Sequence, residues 1–186
     1  MAIDDLIQDA SRRMQKSVEA AQAEFATLRT GRASTGLLDR VQIDYYGQKT
    51  PLKQLATVNS PEPRLITIQP FDPNSVSAIE RAIQESDLGL TPSNDGKLIR
   101  LPIPQLTEER RKELVKIVRQ IAEDGRIAVR NVRRDADKHL KDLKSKGEVG
   151  EDDERRAEDR VQKLTDEHTS RIDDLLKRKE AEITEV

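Results

Sequence analysis

Five arginines fall between positions 119 and 134 of this chain, and they are its most chemically suggestive group. At 100° per residue on a helix, Arg119, Arg126, Arg130 and Arg133 lie within about 60° of one another, and Arg134 widens the row sideways. The run Arg130-Asn131-Val132-Arg133-Arg134 places three of them in five residues. A guanidinium is a planar fork that bonds two oxygens at once, so it suits phosphate. A row of such forks on a rigid rod matches a nucleic-acid backbone. No aromatic residue interleaves with the row, so stacking on single-stranded bases is not its chemistry. The pattern fits phosphate-and-shape binding to structured RNA or a duplex. Two blander readings stand beside it. A charged helix face is most often simply solvated, and the acidic helix that ends the chain is able to neutralise a basic neighbour. Asp135 and Asp137 thin the patch; the clustering of the arginines favours binding.

Other chemistries lack their residues. There is no Cys, and the two His, His139 and His168, are 29 residues apart. Disulfides, thiolate catalysis and a standard zinc site are therefore excluded. His168 falls on an apolar helical stripe and reads as a packed core residue, while His139 reads as surface. Gly31, Gly36 and Gly47 are isolated, so no phosphate-binding glycine loop is present. The acidic residues form no evident convergent pair, which leaves a magnesium-dependent nuclease a weak rival. We expect no catalytic residue, no metal and no cofactor.

The net charge of -2 conceals a partition. Residues 110–146 hold 13 basic and 6 acidic side chains, a net +7, whereas residues 147–186 hold 8 and 14, a net -6. Residues 30–107 balance at 8 and 8. Only 34% of the chain is hydrophobic, against roughly 45–50% for a typical domain. Disorder, an elongated thin core or a long helical assembly each fit that figure, and periodicity separates them.

From Ile3 to Leu28 the apolar positions step by 4, 3, 4, 4, 3, 4 and 3, a single helical stripe. Helical period returns after Pro104 with Leu114, Ile117, Ile121, Ala128, Val132, Ala136, Leu140 and Leu143. Gly147 marks a turn. A last helix begins in Glu151-Asp152-Asp153-Glu154 and carries Ala157, Val161, Leu164, His168, Ile172, Leu175 and Leu176. Between these rods, Val41, Ile43 and Tyr45 alternate at strand period. A second strand runs through Leu65–Ile68, a short helix over Val76–Ile83, and a last strand over Leu98–Leu101. The expected fold is α+β: an elongated bundle of three helices with an inserted β/α/β sandwich. Residues 1–29 with 106–186 make the bundle and residues 32–103 the insertion. Hinges are expected near 30–32 and 102–105, where Thr30, Gly31 and Arg32 lead out and Pro102, Ile103 and Pro104 lead back. Glycine supplies freedom there and the prolines limit its range.

Several runs carry a family resemblance: RTGRAS at Arg29–Ser34 and LLDRVQIDYYG ending at Gly47, TPLKQLA at Thr50–Ala56, SDLGL at Ser86–Leu90, LTEERRKELVK at Leu106–Lys116 and VRNVRRDA at Val129–Ala136. In this order they resemble the ribosome recycling factor family over essentially the whole chain. The resemblance implies an L-shaped, tRNA-like molecule that hydrolyses nothing itself. It implies a factor that, with elongation factor G and GTP, splits post-termination 70S ribosomes into subunits, freeing them from mRNA for a new round of initiation. It implies contact with the 23S rRNA of the large subunit through Arg133, with Arg130 beside it. Arg134 and Arg126 extend that set, and Arg29 and Arg32 sit where the bundle meets the hinge. The inserted domain would face elongation factor G and the small subunit. A cytoplasmic, bacterial, monomeric protein with no membrane attachment is expected. A coiled-coil scaffold is the rival from another class; it needs the rods but not the arginine row.

Overall fold

A computed structural model of the chain describes residues 2–185. It divides into two compact units, one joining Met1–Arg29 to Glu109–Thr184 and the other built on Thr30–Glu108.

The first unit is three long helices: α1 (Ile3–Thr27), α4 (Glu108–Ser145) and α5 (Glu151–Thr184). Asp4 and Asp5 in the first turn of α1 and four acids in the first turn of α5 face the positive ends of their helix dipoles. Between α4 and α5 the chain turns through Gly147 at φ 71°, with the Gly147 and Glu148 amides donating to Lys144 O and Leu143 O. The helix directions follow from side-chain links. Arg160 donates to Asp4 and Arg171 to Gln15, a constant offset of 156, so α1 and α5 run parallel. Arg119 meets Glu180, Arg126 meets Asp173 and Lys144 meets Glu154, so α4 runs antiparallel to α5.

The core of this unit is thin and sets small residues among larger ones. Helix α1 buries Leu6, Ile7, Ala10, Met14, Val18, Ala21 and Phe25, close to its expected stripe. Helix α4 departs from expectation. It buries Leu114, Val118, Ala122, Gly125, Val129, Val132, Ala136 and Leu140, while Ile117 is exposed and Ile121, Ala128 and Leu143 lie half-buried. The cause is Gly125. A Cβ there would stand 3.1 Å from Ile172 Cδ1 and 3.3 Å from Ala21 Cβ, so all three helices meet at this residue. Close approach selects small side chains and pushes the larger isoleucines to the margin. Helix α5 buries His168, as expected, with Ala157, Val161, Thr165 and Ile172, while Leu164, Leu175 and Leu176 are half-buried.

The second unit starts with the hairpin β1 (Gln42–Tyr45) and β2 (Gln48–Pro51), followed by the helical turn α2 (Leu52–Leu55). Strands β3 (Ala56–Glu62), β4 (Leu65–Pro70), β5 (Ser93–Asn94) and β6 (Ile99–Pro102) then form an antiparallel sheet in the order β3-β4-β6-β5. Ile66 pairs with Leu101 and Ile68 with Ile99, so four fully buried aliphatics share one face. Helix α3 (Val76–Glu85) adds Val76, Ile79 and Ile83 to the same core, with Ile43 from β1 and Leu52 from α2. Strand β3 was not legible in the sequence because Pro61 interrupts it; at a sheet edge that proline is tolerated. The β1–β2 turn is Tyr46-Gly47, with φ of 51° and 80°. Both residues are left-handed, as a type I′ turn requires. For a tyrosine that conformation costs about 1–2 kcal/mol.

Candidate nucleic-acid interface

The cationic row of α4 lies beside its buried stripe, on the edge that faces α5, and not wholly in open solvent. Arg119 donates from Nε to Glu180 at 2.7 Å. Arg126 is the most enclosed member, its side chain 21% exposed. Its Nε reaches Glu123 Oε2 at 3.1 Å and its Nη1 reaches Asp173 Oδ1 at 2.7 Å. Arg130 Nη1 lies 3.5 Å from the other oxygen of the same Glu123 carboxylate. Arg133, 29% exposed, donates to the neutral amide oxygen of Gln162 at 3.4 Å and stands 4.0 Å from Asp137 Oδ2. Burial pushes the Asp137 carboxyl up, and Arg133 pulls it back down. Arg134 is exposed and donates to the side-chain amide oxygen of Asn131 at 3.4 Å.

The row is therefore graded. Carboxylates engage Arg119, Arg126 and Arg130 within 3.5 Å; Arg133 bonds a neutral amide with the Asp137 carboxylate farther off at 4.0 Å, and Arg134 bonds a neutral amide. Lys138 and Lys141 continue the exposed basic surface toward the C-terminal end of α4. The residue that sequence reasoning missed is Glu123. At 100° per residue it falls inside the arginine sector, so the helical wheel already contained it. Asp173 lies 47 residues from Arg126 and had no such local signal.

Arg29 and Arg32 are both exposed, the first at the end of the helical unit's N-terminal segment and the second in the β unit. The helix offsets put Arg29 level with the beginning of α4, on the order of 30 Å along the axis from Arg133. The structure thus brings Arg126, Arg130, Arg133 and Arg134 together and leaves Arg29 at the other end of the rod. Of the expected hinge residues, Pro102 ends β6 opposite Leu65, and Ile103 is buried and donates to Arg64 O at 2.9 Å. Pro104 and Arg32 are exposed, whereas Thr30 and Gly31 are buried. Gly31 has φ 75°, and a Cβ on it would fall 2.7 Å from Leu106 Cγ.

Neither histidine is placed for proton transfer. Each ring Nδ1 donates to a carbonyl one turn back, His168 to Leu164 O at 2.6 Å and His139 to Asp135 O at 2.9 Å. Among the described residues no group of three or more His, Asp or Glu side chains is arranged to hold a metal. Among the described residues no helix is long and apolar enough to cross a membrane.

A family model described as "Ribosome recycling factor" matches residues 21–184. The chain belongs to the ribosome recycling factor family. A ribosome-recycling factor of Rubrobacter xylanophilus is 57% identical over 180 residues, covering 97% of each chain. Another, of Carboxydothermus hydrogenoformans, is 52% identical over 184 residues, covering 99% of this chain and 100% of its own. A solution structure of ribosome recycling factor superposes with a TM-score of 0.79 at 45% identity, covering 100% of this chain and 99% of that one. A model of the Thermus thermophilus factor, bound with Escherichia coli elongation factor G to the E. coli post-termination complex, gives 0.68 at 48% identity, covering 98% and 99%. Ribosome recycling factors are non-enzymatic, and the graded arginine row is the feature of this member that geometry equips for binding.

Proposed function

We propose that this ribosome recycling factor anchors to 23S rRNA of the large subunit through the C-terminal part of the α4 row, Arg133 and Arg134 with Arg130 beside them. Together with elongation factor G and GTP it splits the post-termination ribosome into subunits, in the cytoplasm and as a monomer. The observation that carries the reading is the contrast in partners along α4: a neutral amide at Arg134, an amide with a carboxylate 4.0 Å off at Arg133, and carboxylates at 2.7 Å on Arg126 and Arg119. Guanidiniums on a rigid helix make charge-assisted bonds to phosphate most readily where the ion pair given up is long, as for Arg133 with Asp137 at 4.0 Å, or where the partner is an amide, as for Arg134. Arg126 supports the row from inside, and Arg29 and Arg32 offer further cations to RNA elsewhere along the molecule. The β unit faces elongation factor G and the small-subunit side. The two crossings, at Thr30–Arg32 and Pro102–Pro104, act as the hinge through which the GTPase displaces intersubunit contacts.

The test is cosedimentation of Arg133→Ala with large subunits across a salt series. Removing one arginine–phosphate bond lowers the salt slope by about 0.7–0.9. We expect affinity to fall roughly five- to tenfold with unchanged helicity, since a solvated arginine adds little stability. Unchanged affinity and slope would refute the anchoring role.

A further inference from the structure

One isoleucine of α4 has no part in the bundle core. Ile127 is 44% exposed. At 100° per residue it lies about 180° from the mean direction of the buried stripe that runs from Leu114 to Leu140. Ile117, the other exposed isoleucine of this helix, lies about 100° from that direction, at the margin of the core. An exposed apolar side chain is ordinary in itself; one opposite the core, among charges, is not. There it shows apolar surface to water, and its β-branch makes it a weaker helix former than lysine or alanine. Neither cost is returned inside the protein.

Its neighbours carry the chemistry. Arg130, Asn131 and Arg134 follow it at i+3, i+4 and i+7, all within about 60° of it around the helix. Arg134 and Asn131 are exposed and joined to each other at 3.4 Å. The acids one turn before it are engaged. Glu123 holds Arg126 and Arg130, and Asp124 accepts Gln120 Nε2 at 2.9 Å. The helix restricts the branched side chain to one main χ1 rotamer, so little freedom is lost on contact. An apolar centre inside a polar rim also keeps water from the bonds around it.

We propose that Ile127 is an apolar contact for structured RNA, set against ribose or base carbons while Arg130 and Arg134 bond the flanking phosphates. The proposal rests on the functional reading above and adds to it a contact without charge. The wide, shallow minor groove of an RNA helix displays sugars and base edges within reach of a helix crest. The flanking guanidiniums match phosphate. A second copy is disfavoured, because a two-fold contact through this face would set basic helix against basic helix.

The test compares Ile127→Ala and Ile127→Lys in the full chain, by cosedimentation with large subunits across a salt series. Both replacements are better helix formers than isoleucine, so the unfolding midpoint should not fall. For Ile127→Ala we expect affinity to drop about three- to fivefold with the salt slope unchanged. Ile127→Lys should weaken binding at least as much, although it adds a cation. A merely solvated isoleucine gives the opposite pair of results: no change for alanine, and for lysine tighter binding with a salt slope steeper by about 0.7–0.9. That pair overturns the proposal, and so does a lowered midpoint, which would make Ile127 a packing element. A photoreactive phenylalanine analogue at position 127 should crosslink to rRNA on the large subunit; a crosslink to a ribosomal protein overturns the assignment to RNA. The two readings fail separately, since Arg133→Ala reports through the salt slope and Ile127→Ala through affinity at constant slope.

Discussion

The helical unit and the β unit solve the problem of holding a unique shape in opposite ways. The β unit buries Ile43, Ile66, Ile68, Ile79, Ile83 and Ile99 completely, and its ion pairs are Arg81–Glu85 and Arg100–Asp95, which are local, and Lys53–Asp39. The helical unit buries Ala10, Ala21, Ala122, Gly125, Ala136 and Ala157 along its rods. Such small side chains let helices approach closely but discriminate poorly between registers, because one alanine fits much like the next. Beside pairs within one helix, this unit has a set that runs between helices and steps along α1, α4 and α5. The comparison shows charge setting register where the core is thin, and shape setting it where the core is branched and bulky.

The strongest challenge to this contrast is Gly31→Ala in the β unit. The new Cβ meets Leu106 Cγ at 2.7 Å on a backbone at φ 75°, so we expect a loss of roughly 2–4 kcal/mol in urea unfolding, from strain and overpacking together. A loss below about 0.5 kcal/mol would show this unit to be more pliable than its packing implies. Glu123→Gln probes the helical unit's charges. It frees Arg126 and Arg130 from their shared carboxylate, and affinity for an unrelated RNA duplex should rise about three- to fivefold at low salt. Arg134→Ala, which removes a guanidinium held by an amide, should move the same binding the other way. No rise for Glu123→Gln in a filter-binding assay would mean that the acids do not mask the row. The smallest effect is expected for Gly125→Ala. Helix propensity gains about 1 kcal/mol while the 3.1 Å contact, with the terminal methyl of Ile172, costs about 1.5–2 kcal/mol, leaving a net loss of roughly 0.5–1 kcal/mol. Ile172→Val removes the offending Cδ1, so the double variant should recover part of that loss in thermal unfolding.

The long helices, the β1, β4 and β6 strands and the short helix α3 were legible because each is written in local periodicity. Half of the expected α4 stripe, Leu114, Val132, Ala136 and Leu140, is buried, and Ile117, Ile121, Ala128 and Leu143 lie at its margin. Large aliphatics signal burial in isolation, but three converging helices leave space for Gly125, Ala122 and Val129 and none for Ile117. Strands β2, β3 and β5 carry little apolar alternation and exist through pairing with β1, β4 and β6. The turn residue Tyr46 looked like an ordinary member of an aromatic pair, since its left-handed backbone is a property of the closed hairpin.

By itself, the sequence determined that long helical stripes bracket a strand-bearing segment, that the basic charge gathers on one of the helices, and that no thiol is present. Those properties depend on residue type and short spacing. Only the tertiary structure decided which arginines remain open to a ligand. Arg119 and Arg126 meet acids 61 and 47 residues away, and such partners are chosen by how two helices align. Charge complementarity across a bundle acts through space, so no window of sequence contains it.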